Sequence, residues 1–157
     1  MRFDSFVDSK RIKVKNRENI FGEQIILDSE DNPISKEEFL LTNATEISVE
    51  DVCSFVAEFG GISYPAHIDR DANGIVAILG TVPKDTDFKL FELNCKDKID
   101  EFSEKYGIEK NRFIVSSDAH RLTDMRDKEN CFILEDEPYS SSFVRSKLFQ
   151  KLRGGEL

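Results

Sequence analysis

His67 and His120 are the only two histidines in the chain, and each follows a short apolar run. His67 closes Ile62-Ser63-Tyr64-Pro65-Ala66, and His120 follows Phe113-Ile114-Val115-Ser116-Ser117-Asp118-Ala119. Both runs read as strands. In parallel α/β folds the C-terminal ends of strands form the functional rim. Asp118 and His120 are two apart, and on extended backbone that spacing turns both side chains to one face. A carboxylate and an imidazole so placed can grip one cation or bridge two, and they suit Zn, Mn or Fe better than Ca. The competing reading of each histidine is a hydrogen-bonded structural residue at a strand end. The residues alone leave both readings open.

Glu92 and Asn94 end the intervening apolar run and are also two apart, so they can share the same rim or stand as solvated polar residues at a strand-to-loop junction. Arg70 and Arg121 lie just past the two histidine motifs. Either can clamp a phosphate with its planar fork, or serve as a surface salt-bridge partner. Cys53, Cys95 and Cys131 are widely spaced, odd in number and lack a C-x-x-C pair. That argues against a disulfide framework or thiolate zinc site, places the chain in a reducing cytoplasm, and leaves the thiols as core packing.

These residues need elements to position them. Residues 1–14 predict a short helix with Phe3, Phe6 and Val7 on one face, and residues 15–19 an irregular link. Gln24–Leu27 reads as a strand, Asp28–Pro33 as a turn, and Ile34 or Phe39–Leu41 as a return strand or helix start. From Ser48 the pattern changes. Val52, Phe55, Val56 and Phe59 recur at helical spacing before Gly60-Gly61. Strands are expected at 62–67, 88–93, 112–116 and 131–134. Helices are expected at 72–80, at 99–106 closing on Gly107, and through Phe143–Leu152 ending at Gly154-Gly155. Helix and strand alternate from residue 48, which points to βα units and a mostly parallel sheet or partial barrel. The expected division is an arm or insertion over 1–47 and an α/β unit over 48–157.

The length of 157 residues fits one domain. A formal net charge of −9 disfavours unaided binding to nucleic-acid backbones or anionic membranes. It does not exclude a small phosphorylated substrate, because a bound metal inverts the local field. The first residues carry acids where a signal peptide has an apolar run, and no apolar stretch is long enough to span a bilayer.

Pro65-Ala66-His67-Ile68-Asp69-Arg70 and Ser116-Ser117-Asp118-Ala119-His120 resemble, in order and separation, the third and fourth metal-binding motifs of the PHP superfamily (polymerase and histidinol phosphatase). Asn16–Gln24 and Leu41–Ser48 also resemble segments of bacterial PHP proteins, so the resemblance runs from about residue 15 onward. It implies a partial (β/α) barrel, the C-terminal half of a distorted seven-stranded barrel, whose rim carries a divalent metal cluster that cleaves phosphoester bonds. It implies His67 as the third-motif ligand and Asp118 and His120 as the fourth-motif ligands. Glu92 lies where such proteins often carry an acid. Arg70 is the candidate to orient the phosphate of a phosphorylated small molecule or nucleotide. The family's N-terminal H-x-H motif has no counterpart here, since no histidine precedes residue 67. The expectation is a chain that begins partway through the pattern, with little or no hydrolysis alone. It would be completed by a missing N-terminal half, or would pair as a homodimer through its open sheet edges. The alternative expectation is a non-catalytic remnant that binds a partner or a phosphorylated ligand.

Overall fold

A computed structural model describes residues 2–126, 128 and 130–154. The chain divides into two compact units, Met1–Ser48 and Val49–Leu157. Among the described residues, no helix is long and apolar enough to cross a membrane.

The first unit holds helix α1 (Phe3–Ser9), the single turn α2 (Glu18–Phe21) and an antiparallel hairpin of β1 (Ile25–Leu27) and β2 (Pro33–Lys36). Asp28 makes the hairpin turn by local competition with the ladder, its Oδ1 accepting from the backbone N–H of Glu30 at 2.8 Å and Asn32 at 2.9 Å. The return strand begins at Pro33 and not at Phe39. Phe39 instead bridges Lys15, and Arg11 bridges Thr45, so the flanking segments also run antiparallel. Gln24 ties them together, donating to the carbonyls of Glu37 at 3.0 Å and Phe39 at 2.9 Å and accepting from Leu41 N–H at 2.8 Å.

The second unit holds helices α3 (Val49–Glu58), α4 (Ile75–Leu79), α5 (Ile99–Tyr106) and α6 (Ser141–Gly154), with strands β3 (Phe91–Leu93) and β4 (Phe113–Val115). β3 and β4 pair in parallel, Phe91 opposite Phe113 and Leu93 opposite Val115. The link between them is α5, as a parallel pair requires. Its apolar residues face the sheet, and it closes on Gly107, whose φ of 67° is the left-handed conformation that a residue with a Cβ resists. Along β3, Phe91 and Leu93 point into the core and Glu92 to the opposite face.

That core gathers Ile68, Val82, Phe88, Phe91, Leu93, Phe102, Ile108 and Phe113, with Val49, Cys53, Ile75, Val76, Ile99 and Tyr106 packed around it. Phe91 is central, its ring 6.3 Å from that of Phe88 and 6.4 Å from that of Phe113. Each large side chain buried in this way contributes about 1.5–3 kcal/mol of transfer free energy.

Two expected strands do not form. Residues 62–67 adopt no regular strand, because Pro65 has no N–H to give and the backbone at His67 turns to a φ of 31°. Residues 131–134 also lack a strand, with Ile133 89% exposed. This segment helps wall a cavity of about 420 Å³ beside β4 but makes no ladder to it. Cys131 is exposed and so is not core packing, whereas Cys53 and Cys95 are half-buried. Gly155, expected to end the last helix, lies outside the described residues. The sheets are two-stranded, and no closed barrel is formed among the described residues.

Candidate functional site

The site is built where three chain segments end side by side. β3 and β4 supply two of them. The third is Pro65–Ile68, held against β3 by two backbone hydrogen bonds, Glu92 N–H to Pro65 O at 3.0 Å and Ile68 N–H to Glu92 O at 2.9 Å. A regular parallel ladder places those two partners two residues apart. Here they are three apart, so one extra residue bulges out. The bulge re-aims His67 while Ile68, 1% exposed, anchors the segment in the core.

Past the end of β4, Ser116 N–H bonds Leu93 O at 3.1 Å and continues the pairing. Asp118 then turns to a φ of 50°. The extended backbone expected to place Asp118 and His120 on one face is therefore absent. The turn brings them together by another route, with His120 Nε2 3.5 Å from Asp118 Oδ1. His67 Nε2 lies 4.0 Å from Asp118 Oδ2, outside hydrogen-bond range. Arg70, also beside Asp118, donates a hydrogen bond from Nη1 to Oδ2. The carboxylate thus faces two imidazoles and one guanidinium. His67 and Asp118 both stand at positive φ, a region that His and Asp enter more readily than most residues with a Cβ.

His67 is the more enclosed imidazole, with 15% of its side chain exposed against 78% for His120. Its Nδ1 is buried without a hydrogen-bond partner among the described residues. The loop after it folds back so that Gly74 meets it directly. A Cβ on Gly74 would lie 2.9 Å from the His67 carbonyl oxygen and 3.5 Å from Nδ1. Only glycine permits that approach.

Glu92 is engaged by the residue just past β4. Its Oε1 accepts the Ser116 hydroxyl. Tyr64 lies in the same neighbourhood, its phenol pushed above the usual range by burial and then by the Glu92 charge. Asn94 is structural, its Nδ2 donating to the carbonyls of Ser116 at 3.3 Å and Ser117 at 2.9 Å. Arg121 is exposed.

Two residues not singled out by pattern organise the rim. Asp69, 8% exposed, is the only charged or polar side chain in the buried set among the described residues. Its carboxylate accepts from the backbone N–H groups of Asn94 at 2.8 Å and Cys95 at 2.9 Å, satisfying donors at the end of β3. Arg126 donates to Asn94 O at 2.6 Å and Oδ1 at 3.2 Å, tying the loop after β4 to the loop after β3. An aspartate between His67 and Arg70 was the available signal for the first of these.

The donor chemistry suits a divalent d-block cation, since two imidazoles flank one carboxylate. The closed geometry of a cage is not formed: among the described residues, no three His, Cys, Asp or Glu side chains make a group ready to hold a metal ion. Asp118 Oδ2 is shared, accepting from Arg70 while His67 Nε2 stands 4.0 Å away. The cavity of about 420 Å³ beside β4 is lined by none of the candidate residues.

In comparisons with known proteins the chain matches no family model, no curated protein and no solved structure.

Proposed function

We propose that this chain contributes metal ligands to a site that hydrolyses phosphate esters, and that donors beyond its own complete the site. The observation that carries the reading is Asp118 with His67 on one side and His120 on the other, at the ends of adjacent parallel segments. His67, Asp118 and His120 would hold the cation. When bound, it would polarise the phosphoryl oxygens and lower the pKa of a water. The chain's own part is to orient. The bulge aims His67, the turn at Asp118 presents the carboxylate, and Arg70 stands where a planar fork can receive two oxygens of a phosphate. A two-metal clamp needs more donors than these three side chains supply, so Glu92 or another chain segment would have to contribute.

The test is calorimetric titration with Mn²⁺ or Zn²⁺, beside hydrolysis of a generic phosphomonoester. Binding that is lost in His120→Ala and in Asp118→Asn, with little turnover by the chain alone, is the expected pattern. Vigorous turnover that disappears in His120→Ala would show a self-sufficient enzyme and overturn the incomplete-site reading. Absence of any metal binding would overturn the site itself.

A second reading is a non-catalytic binder of a phosphorylated ligand or a partner chain. What favours it is the Arg70–Asp118 ion pair, which sets a guanidinium, a phosphate-binding group, beside the two imidazoles on the same rim. Micromolar affinity for inorganic phosphate that ignores added metal and falls in Arg70→Gln would select this reading over the first.

A further inference from the structure

The cavity beside β4 combines apolar walls with a positive lining. Phe113 and Val115 of β4 line it together with Ile99 of α5, and Phe132 and Ile133 line it from the later segment. Residues 131–134 are apolar in composition yet make no ladder to β4. Ile133 is left 89% exposed and Phe132 38% exposed. Apolar walls left to water are unfavourable, and an apolar ligand body relieves that cost. The volume of about 420 Å³ falls in the range of small-molecule sites, about 300–1,000 Å³.

Charge supplies the other half of the case. Lys96, Lys110 and Lys151 also line the cavity, and among the described residues no aspartate or glutamate does, in a chain of formal net charge −9. Lys110 is compensated, its Nζ 2.6 Å from Asp100 Oδ1. Among the described residues Lys96 and Lys151 make no ion pair. A lysine stem can lie along an apolar wall while its ammonium stays at the water-facing mouth. Two uncompensated ammonium groups beside an apolar cavity suit one anionic head group on an apolar body. We propose that this cavity binds an amphipathic organic acid, a carboxylate carrying an apolar body of medium-chain size, with Lys96 and Lys151 at the head group. The proposal is independent of the metal-site reading, since it uses none of the rim residues.

Cys131 supplies the readout. It lines the cavity and is exposed, whereas Cys53 and Cys95 are half-buried and do not line it. Decanoate below its micellar concentration should slow alkylation of Cys131 by iodoacetamide, followed thiol by thiol by mass spectrometry, and leave Cys53 and Cys95 unchanged. Decylamine, of the same length and opposite charge, should give no protection. Lys96→Gln and Lys151→Gln should each raise the decanoate concentration needed for half-protection by about two- to fivefold, the worth of one exposed charge pair. Lys105→Gln, a charge change on α5 outside the cavity lining, should leave it unchanged. Thermal melting of each variant establishes that it is folded. Equal protection by decanoate and decylamine would reduce the binding to apolar adsorption and overturn the proposal. No protection of Cys131, or slowing of all three thiols together, would overturn it as well.

Discussion

Asp69 accepts the backbone N–H of Asn94 at 2.8 Å across 25 residues of sequence, and with Cys95 it satisfies both donors at the mouth of β3. A buried carboxylate shared by two backbone donors fixes where one loop of the rim leaves the sheet and where the preceding loop lies beneath it.

Truncating it should therefore cost stability and site geometry together. Asp69→Ala leaves two donors without an acceptor, at about 1–3 kcal/mol for an unsatisfied buried group. Chemical denaturation should show that loss with an unchanged m-value. Asp69→Asn keeps one good acceptor and should recover part of it. A midpoint for Asp69→Ala equal to wild type would mean that water replaces the carboxylate.

Gly74→Ala is expected to act on His67 through the backbone. The new methyl would meet the His67 carbonyl oxygen at 2.9 Å, and backbone yields less readily than a flexible side chain. Overpacking of this kind costs about 1–3 kcal/mol. The check is the imidazole resonances: those of His67 should shift while those of His120 stay in place.

The first unit should loosen in acid through its turn. Asp28 is held below the usual carboxylate range, chiefly by the backbone N–H of Asn32 and then that of Glu30, and Glu37 is lowered by Phe39 N–H and Arg11. A carboxylate lowered on folding contributes stability that is present above its unfolded pKa and is lost as pH falls through the folded one. Hydrogen exchange at the Asn32 amide should therefore lose protection as pH drops below the ordinary aspartate range. In Asp28→Ala the amide should be unprotected at every pH.

Self-association is expected of the second unit. β4 has a ladder partner on one edge only among the described residues, and unpaired strand edges are templates for another chain. Ile78 is 73% exposed and Leu79 49% exposed on α4, which adds apolar surface. Sedimentation at micromolar concentration should give twice the chain mass. A monomer mass throughout that range would remove this expectation.

Local chemistry was the part legible in sequence. Helix α5 is announced by Ile99, Phe102 and Tyr106 at helical spacing and by its closing glycine, and the hairpin by the turn residues after Leu27. These signals act within a few residues. Residues 62–67 were misread as a strand because apolar content carries no record of a bulge. Residues 131–134 were misread because a strand needs a neighbour, and pairing is not a local property. His67, Asp118 and His120 stood out by type and position. Their relation to Arg70 did not, since 48 residues separate Arg70 from Asp118 and only the parallel register brings them together. Asp69 was hidden for a different reason: a charged residue is ordinarily read as solvated, and its burial depends on donors 25 residues away.

The positive φ angles of His67 and Asp118 set backbone ease against the proposed site at two individual positions. Both backbones lie at positive φ, which glycine enters at least cost and which Asn, Asp and His enter more readily than other residues. Selection for thermal resistance alone would favour glycine there, and each such step would erase an imidazole or a carboxylate from the rim. Engineering this chain for robustness should therefore hold these two positions fixed and look for gains elsewhere. A library screened only for survival on heating would be expected to return sturdier molecules with a blank site.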